Sequence, residues 1–182
     1  YAGYIAHKMG LPINQLIIAT NANDILHRCV SANDHSLKPL KRTLAPSMDI
    51  MISSNFERLL FDLYDHDGAA IERLMADAKN GNMYLDERAI TELRKLFFSY
   101  KCDDQHLLSV ISSVYRDSGY LIDPHTAIGL EAARKCRISD EFPMVSCGCP
   151  VVSYDFPCVP LIFSCVPLIS CGFLMVFLWF CS

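Results

Sequence analysis

A short, continuously apolar run at residues 16–19 stands between polar neighbours, as expected of a strand covered on both faces. Before it, residues 2–9 read as the end of a helix, with Gly10 as its terminator and Pro12 just beyond. After it, Asn21 or Asn23 is expected to cap a helix reaching about Val30, with Ile25, Leu26, Cys29 and Val30 on one face. Residues 31–46 are polar, carry Pro39 and Pro46, and read as a loop. Ser54-Asn55-Phe56-Glu57 fits a capping box, and Phe56, Leu59, Leu60 and Leu63 continue it as an apolar stripe that belongs in a core. Residues 67–78 and 86–98 predict two amphipathic helices around a turn at Gly81 and Asn82, and Asp103 or Asp104 opens another that closes at Gly119. Residues 120–123 are expected to return the chain to the sheet. Asp123 then suits an N-cap and Pro124 the first position of a last helix over 125–135. Strand followed by helix at the start predicts an α/β fold with a parallel sheet, whose ligands sit at the carboxyl ends of strands. Thr20, Asn21 and Asn23 fall at such an end.

Composition divides the chain. Residues 1–141 hold all 16 Lys and Arg, 19 of the 20 acids and all six His, but only three of the nine Cys. Residues 142–182 hold one charge, Asp155, with six Cys and five Pro. Two kinds of material are therefore expected: a partial domain over 1–141 and an apolar, Cys/Pro-rich tail over 142–182 that is not a folded domain. Cys158-Val-Pro-Leu-Ile recurs as Cys165-Val-Pro-Leu-Ile, which suggests a frameshift or intron read-through. A competing reading is a membrane anchor within the uncharged residues 156–182, although Pro167 and Gly172 interrupt it and no Lys or Arg flanks it. The tail cysteines match no paired Cys-x-x-Cys spacing, so no metal site is expected. The net charge of −4 gives no reason to expect nucleic acid as a partner. The chain opens on Tyr1 without a basic and apolar leader, which suggests a piece of something longer and a cytoplasmic location.

Residues 120–129, Tyr-Leu-Ile-Asp-Pro-His-Thr-Ala-Ile-Gly, resemble the Asp-Pro-His-Thr-Ala-x-Gly segment of threonine synthases, fold-type II pyridoxal-phosphate enzymes related to the tryptophan synthase β chain. Three more segments resemble the same family in the same order. Residues 2–13, Ala-Gly-Tyr-Ile-Ala-His-Lys-Met-Gly-Leu-Pro-Ile, are similar to the helix and turn after its glycine-rich phosphate loop. Residues 16–28, Leu-Ile-Ile-Ala-Thr-Asn-Ala-Asn-Asp-Ile-Leu-His-Arg, are similar to the strand, loop and helix that follow. Residues 43–61 contain its Ser-Met-Asp-Ile and Ser-Asn-Phe-Glu-Arg segments.

The resemblance implies part of a large domain: a parallel sheet with flanking helices, a helical insertion over roughly 53–119, and a strand beginning near 142–145. It implies pyridoxal 5'-phosphate as cofactor and the conversion of O-phospho-L-homoserine and water to L-threonine and phosphate. Asp123, His125 and Thr126 are implied at the cofactor, and Thr20, Asn21 and Asn23 at the substrate. For each of these the plain alternative is a capping or turn residue. The family's cofactor-bearing lysine lies upstream of the matched region, and none of the seven lysines here stands in its context, so no catalytic residue is assigned. The phosphate loop is expected to end before Tyr1, and the Thr-Ala-His-Pro-Ala-Lys-Phe segment is replaced from about Val145. Asn55 and Arg58 belong to a family segment without an assigned role. His7, His27, His35, His66 and His106 read as solvated or core. The expectation is a threonine synthase fragment, inactive as an isolated chain. The alternative is a non-catalytic threonine-synthase-like binding protein or splice-type product, membrane-associated through its tail.

Overall fold

The computed structural model describes residues 1–136 in full and, as backbone only, residues 144–147 and 173–178. Helix α1 (Ala2–Lys8) leads through Gly10, at φ 95°, into β1 (Ile13–Thr20). Then come α2 (Ile25–Ala32), a 3-10 turn at Pro46–Met48, α3 (Ser54–Leu63), α4 (Gly68–Lys79) and α5 (Glu87–Leu96). Strand β2 (Phe97–Lys101) follows directly, then α6 (Asp104–Ser118), α7 (Pro124–Lys135), β3 (Met144–Cys147) and β4 (Phe173–Leu178).

All pairings are parallel, in the order β2-β1-β4-β3, with Leu16 opposite Phe97 and Thr20 opposite Lys101. A parallel sheet is covered on both faces, and alternate residues of a strand serve opposite sides. Leu16 and Ile18 of β1 accordingly pack with α2, α3 and α5, through Leu26, Leu60 and Leu93 among others. Ile17 and Ala19 pack with α6 and α7, through Leu107, Val110, Ile128 and Ala132. The apolar run at 16–19 is continuous because both of its faces are inside. The α/β layering expected from the sequence is the one observed.

Several local expectations need correction. Residues 97–98 were expected to end a helix, but α5 stops at Leu96 and Phe97–Lys101 forms β2. The run Phe-Phe-Ser-Tyr is rich in aromatics that favour a pleated surface, and pairing with β1 overrides the helical periodicity. Residues 120–123 do not join the sheet; they are an irregular lead into α7. Neither Asn21 nor Asn23 caps α2: its N-cap is Asp24, with no side-chain cap bond, because both asparagine amides are engaged elsewhere. Helix α3 has Ser53 as its N-cap, again without a side-chain cap bond, so no capping box closes there. The expected caps at Asp103 and Asp123 do form, and Asp67, expected inside a helix, caps α4 as well.

Within the tail, Met144–Cys147 overlaps the strand expected from 142–145, and Phe173–Leu178 pairs between β1 and β3. The rest of 142–182, with its repeat and most of the candidate membrane segment, lies outside the described residues. Among the described residues no helix is long and apolar enough to cross a membrane.

Candidate functional site

Strand β1 ends where β2 ends. The Cys102 N–H donates to the Thr20 carbonyl at 2.9 Å, and the Thr20 hydroxyl donates to the Tyr100 carbonyl at 3.4 Å. Beyond Thr20 the chain meets residues 41–50, a strap that crosses back over the end of the strand and is anchored by buried Ala45 and Met48. Asn21 Nδ2 reaches Asp49 Oδ1 at 2.7 Å, Thr43 Oγ1 at 2.8 Å and the Ala45 carbonyl at 3.3 Å. Asn23 Nδ2 donates to the Lys41 carbonyl at 2.8 Å and to Asp49 Oδ1 at 2.9 Å, while Asn23 Oδ1 accepts from the Lys41 N–H at 2.9 Å. Asn21 Oδ1 accepts the Asn23 N–H at 2.9 Å. Both asparagines are buried, so these bonds are the partners such groups require.

A small cleft of about 10 Å³, room for about one water molecule, lies beside them. Thr20 and Asn23, with Ile25 and Leu26 of α2, form one side, and Met48 and Ile50 of the strap form the other. Of the three residues expected at the substrate, Thr20 and Asn23 line this cleft and Asn21 braces it from behind.

Charge is concentrated just beneath. Arg28 Nε lies 2.9 Å from Asp24 Oδ1, and its Nη1 lies 2.7 Å from Asp34 Oδ2. Lys101, at the end of β2, reaches the other Asp24 oxygen at 2.9 Å. Burial pushes the Asp24 carboxyl up, but bonds from Lys101 and Arg28 outweigh it and hold the group below the usual carboxylate range. Arg28 also donates to Ser36 Oγ at 2.9 Å and to the Ser36 carbonyl at 2.8 Å, which pins residues 34–36 to α2.

The start of α7 is a second polar group. Asp123 Oδ1 accepts the N–H groups of His125 at 2.8 Å and Thr126 at 3.2 Å; His125 Nδ1 lies 3.1 Å from the same oxygen, and the Thr126 hydroxyl bonds to Asp123 Oδ2. Burial raises the Asp123 carboxyl, yet the bonds from Thr126 and His125 leave it lowered. The three residues expected at the cofactor are thus one mutually bonded constellation. Directly after them Ala127 and Ile128 enter the core that also holds Ala19, Ala45 and Met48. The start of α7, the end of β1 and the strap are therefore parts of one packed unit.

Thr43, Asp49 and Arg28 are residues whose importance was not evident from the sequence. Thr43 and Asp49 stand in a family segment but with no role attached, and their spacing matches no known chemistry. Only folding brings them to Asn21 and Asn23. Among the described residues no group of three or more His, Cys, Asp or Glu is arranged to hold a metal.

No family model matches the chain. Threonine synthase of Pseudomonas aeruginosa is 52% identical over 149 residues, a stretch that covers 81% of this chain and 32% of the relative. Among solved structures, the pyridoxal-phosphate-bound threonine synthase from Brucella melitensis superposes with a TM-score of 0.72 at 45% identity, covering 76% of this chain and 30% of that one. Yeast threonine synthase superposes with a TM-score of 0.70 at 38% identity, covering 74% and 29%. The chain thus spans about a third of the length of the curated relatives it matches. By sequence and by fold, it belongs to the threonine synthase family.

Proposed function

We propose that this chain supplies one wall of the active-site cleft of a threonine synthase, the enzyme that converts O-phospho-L-homoserine and water to L-threonine and phosphate. One observation carries the reading: over 76% of its length the chain superposes, at 45% identity, on part of a threonine synthase whose structure holds pyridoxal phosphate. Parallel α/β sheets bind ligands at the carboxyl ends of their strands, and this cleft lies at such an end.

The space between Ile25, Leu26, Met48 and Ile50, about 10 Å³, is too small for the cofactor ring, and the Asn23 amide is already engaged, so these residues build the wall without themselves holding the ring. At the first turn of α7 the Asp123 carboxylate already takes the N–H groups of His125 and Thr126, so a phosphate is not held there.

Pyridoxal phosphate, when bound, supplies an electron sink that lets protons leave carbons next to it. This chain's residues do the rest by position. The apolar residues Ile25, Leu26, Met48 and Ile50 exclude water, Asn21 and Asn23 hold the strap in place, and Asp123 orients the His125 ring through Nδ1. The cofactor-bearing lysine comes from the portion of the family that this chain does not span. Among the described residues the cysteines Cys29, Cys102 and Cys136 are free, which supports a reducing, cytoplasmic setting.

The chain mixed with pyridoxal phosphate and then reduced with borohydride tests the assignment. No stoichiometric, site-specific lysine adduct is expected. One unique adduct at any of its seven lysines would place the anchoring lysine here and overturn the reading.

A further inference from the structure

Four hydrogen bonds converge on Asp49, a residue with no role assigned by its motif. Its Oδ1 accepts from Asn21 Nδ2 at 2.7 Å, Asn23 Nδ2 at 2.9 Å and Thr43 Oγ1 at 2.7 Å, and its Oδ2 accepts the Thr43 N–H at 3.0 Å. Two of the donors sit at the end of β1 and one residue, Thr43, sits in the strap, so a single carboxyl group ties one wall of the cleft to the other. Thr43 Oγ1 adds to the knot by accepting from Asn21 Nδ2 and from the Ala45 N–H at 3.1 Å. Hydrogen bonds to a carboxylate are roughly twice as strong as neutral ones.

We propose that Asp49 is the positioning residue of the cleft: it draws Asn21, Asn23 and Thr43 to one point and thereby fixes Met48 and Ile50 opposite Thr20 and Asn23. The donors of both asparagine amides are engaged in this knot and in the bonds to Ala45 and Lys41, so the two residues act chiefly by holding the strap. The apolar anchors Ala45 and Met48 also hold the strap to the core. The inference rests on the proposed function only in taking the cleft as a ligand site; the ordering of the strap needs no ligand.

The test uses the full 182-residue chain and amide hydrogen exchange. The strap is read at Lys41, Thr43 and Ala45, and the sheet at Ile17 and Ile18. In Asp49→Asn, strap amides are expected to exchange about tenfold faster or more, which corresponds to losing one charged hydrogen bond, with the sheet amides unchanged. The reciprocal double variant Asn21→Asp with Asp49→Asn restores a donor–acceptor pair and is expected to recover part of the protection. Unchanged strap exchange in the single variant overturns the proposal. So does equal loosening of strap and sheet, which marks a general stabiliser, and so does a double variant no better than the single one. A lysine adduct in the borohydride experiment would remove the proposed function and leave this result standing.

Discussion

Asn33 grips the backbone of Leu85 from both sides: its Nδ2 donates to the Leu85 carbonyl at 2.8 Å, and its Oδ1 accepts the Leu85 N–H at 3.1 Å. Asn33 closes α2 in the left-handed region, at φ 54°, which asparagine tolerates better than most residues. The contact joins the end of α2 to the segment before α5, and both residues are buried. Asn33→Ala leaves two backbone groups unpaired and is expected to cost about 2–4 kcal/mol. Asn33→Gly relieves the backbone but loses the same bonds, so it recovers only part of that loss. Urea denaturation of the three forms checks the order.

Arg28 holds α2, residues 34–36 and, through Asp24, the end of β2 in one network. Removing one member of a buried ion pair strands the others, so Arg28→Met is expected to destabilise by about 3 kcal/mol. Arg28→Lys keeps the charge but not the fork that reaches Asp24, Asp34 and Ser36 together, and recovers little. Chemical denaturation at neutral pH reads both.

His35 is 6% exposed, stacks on Phe56 at 5.5 Å, and both its ring nitrogens are buried without a hydrogen-bond partner. Burial, aided by the nearby Arg28 cation, lowers its pKa to about 4. The folded chain therefore binds fewer protons than the unfolded one between about pH 6.5 and about 4, and stability falls as pH drops through that window. The expected loss is on the order of 2–3 kcal/mol, and His35→Phe removes this part of the pH dependence. A set of denaturation curves from pH 7.5 to 4.5 measures it. The lowered Asp24 and Asp34 carboxyls act in a lower window: their stabilisation is present above their ordinary value near 3.8 and is lost in stronger acid.

Asp123 caps α7 through His125 and Thr126. Asp123→Ala is expected to cost about 1–2 kcal/mol and to fray the first turn, while Asp123→Asn costs less because a side-chain oxygen still accepts. Melting temperatures, with amide exchange at Ala127 and Ile128, distinguish the two.

Much of the framework was legible because it is local. The apolar run at 16–19, the Asp103 and Asp123 caps and the stripe from Phe56 to Leu60 announce themselves through spacing and capping chemistry. Strand β2 was not, since its residues continue a helical periodicity and only the partner β1 turns them into a strand. Of the candidate site residues, Thr20 and Asn23 line the small space at the end of β1, and Asp123, His125 and Thr126 bond to one another at the start of α7. The knot at Asp49 was hidden because it joins residues 26 and 28 positions apart, and no local pattern reports such a meeting. The same distance hid the use of the asparagine amides, which local rules assign to a helix cap.

Replacement of the segment of Pseudomonas aeruginosa threonine synthase that corresponds to residues 2–136 by those residues of this chain tests the central claim most directly. The account expects a folded chimera that binds pyridoxal phosphate and forms threonine from O-phospho-L-homoserine, with turnover lost when Asp49 is changed to Ala. A folded, cofactor-loaded chimera that releases no threonine would contradict it.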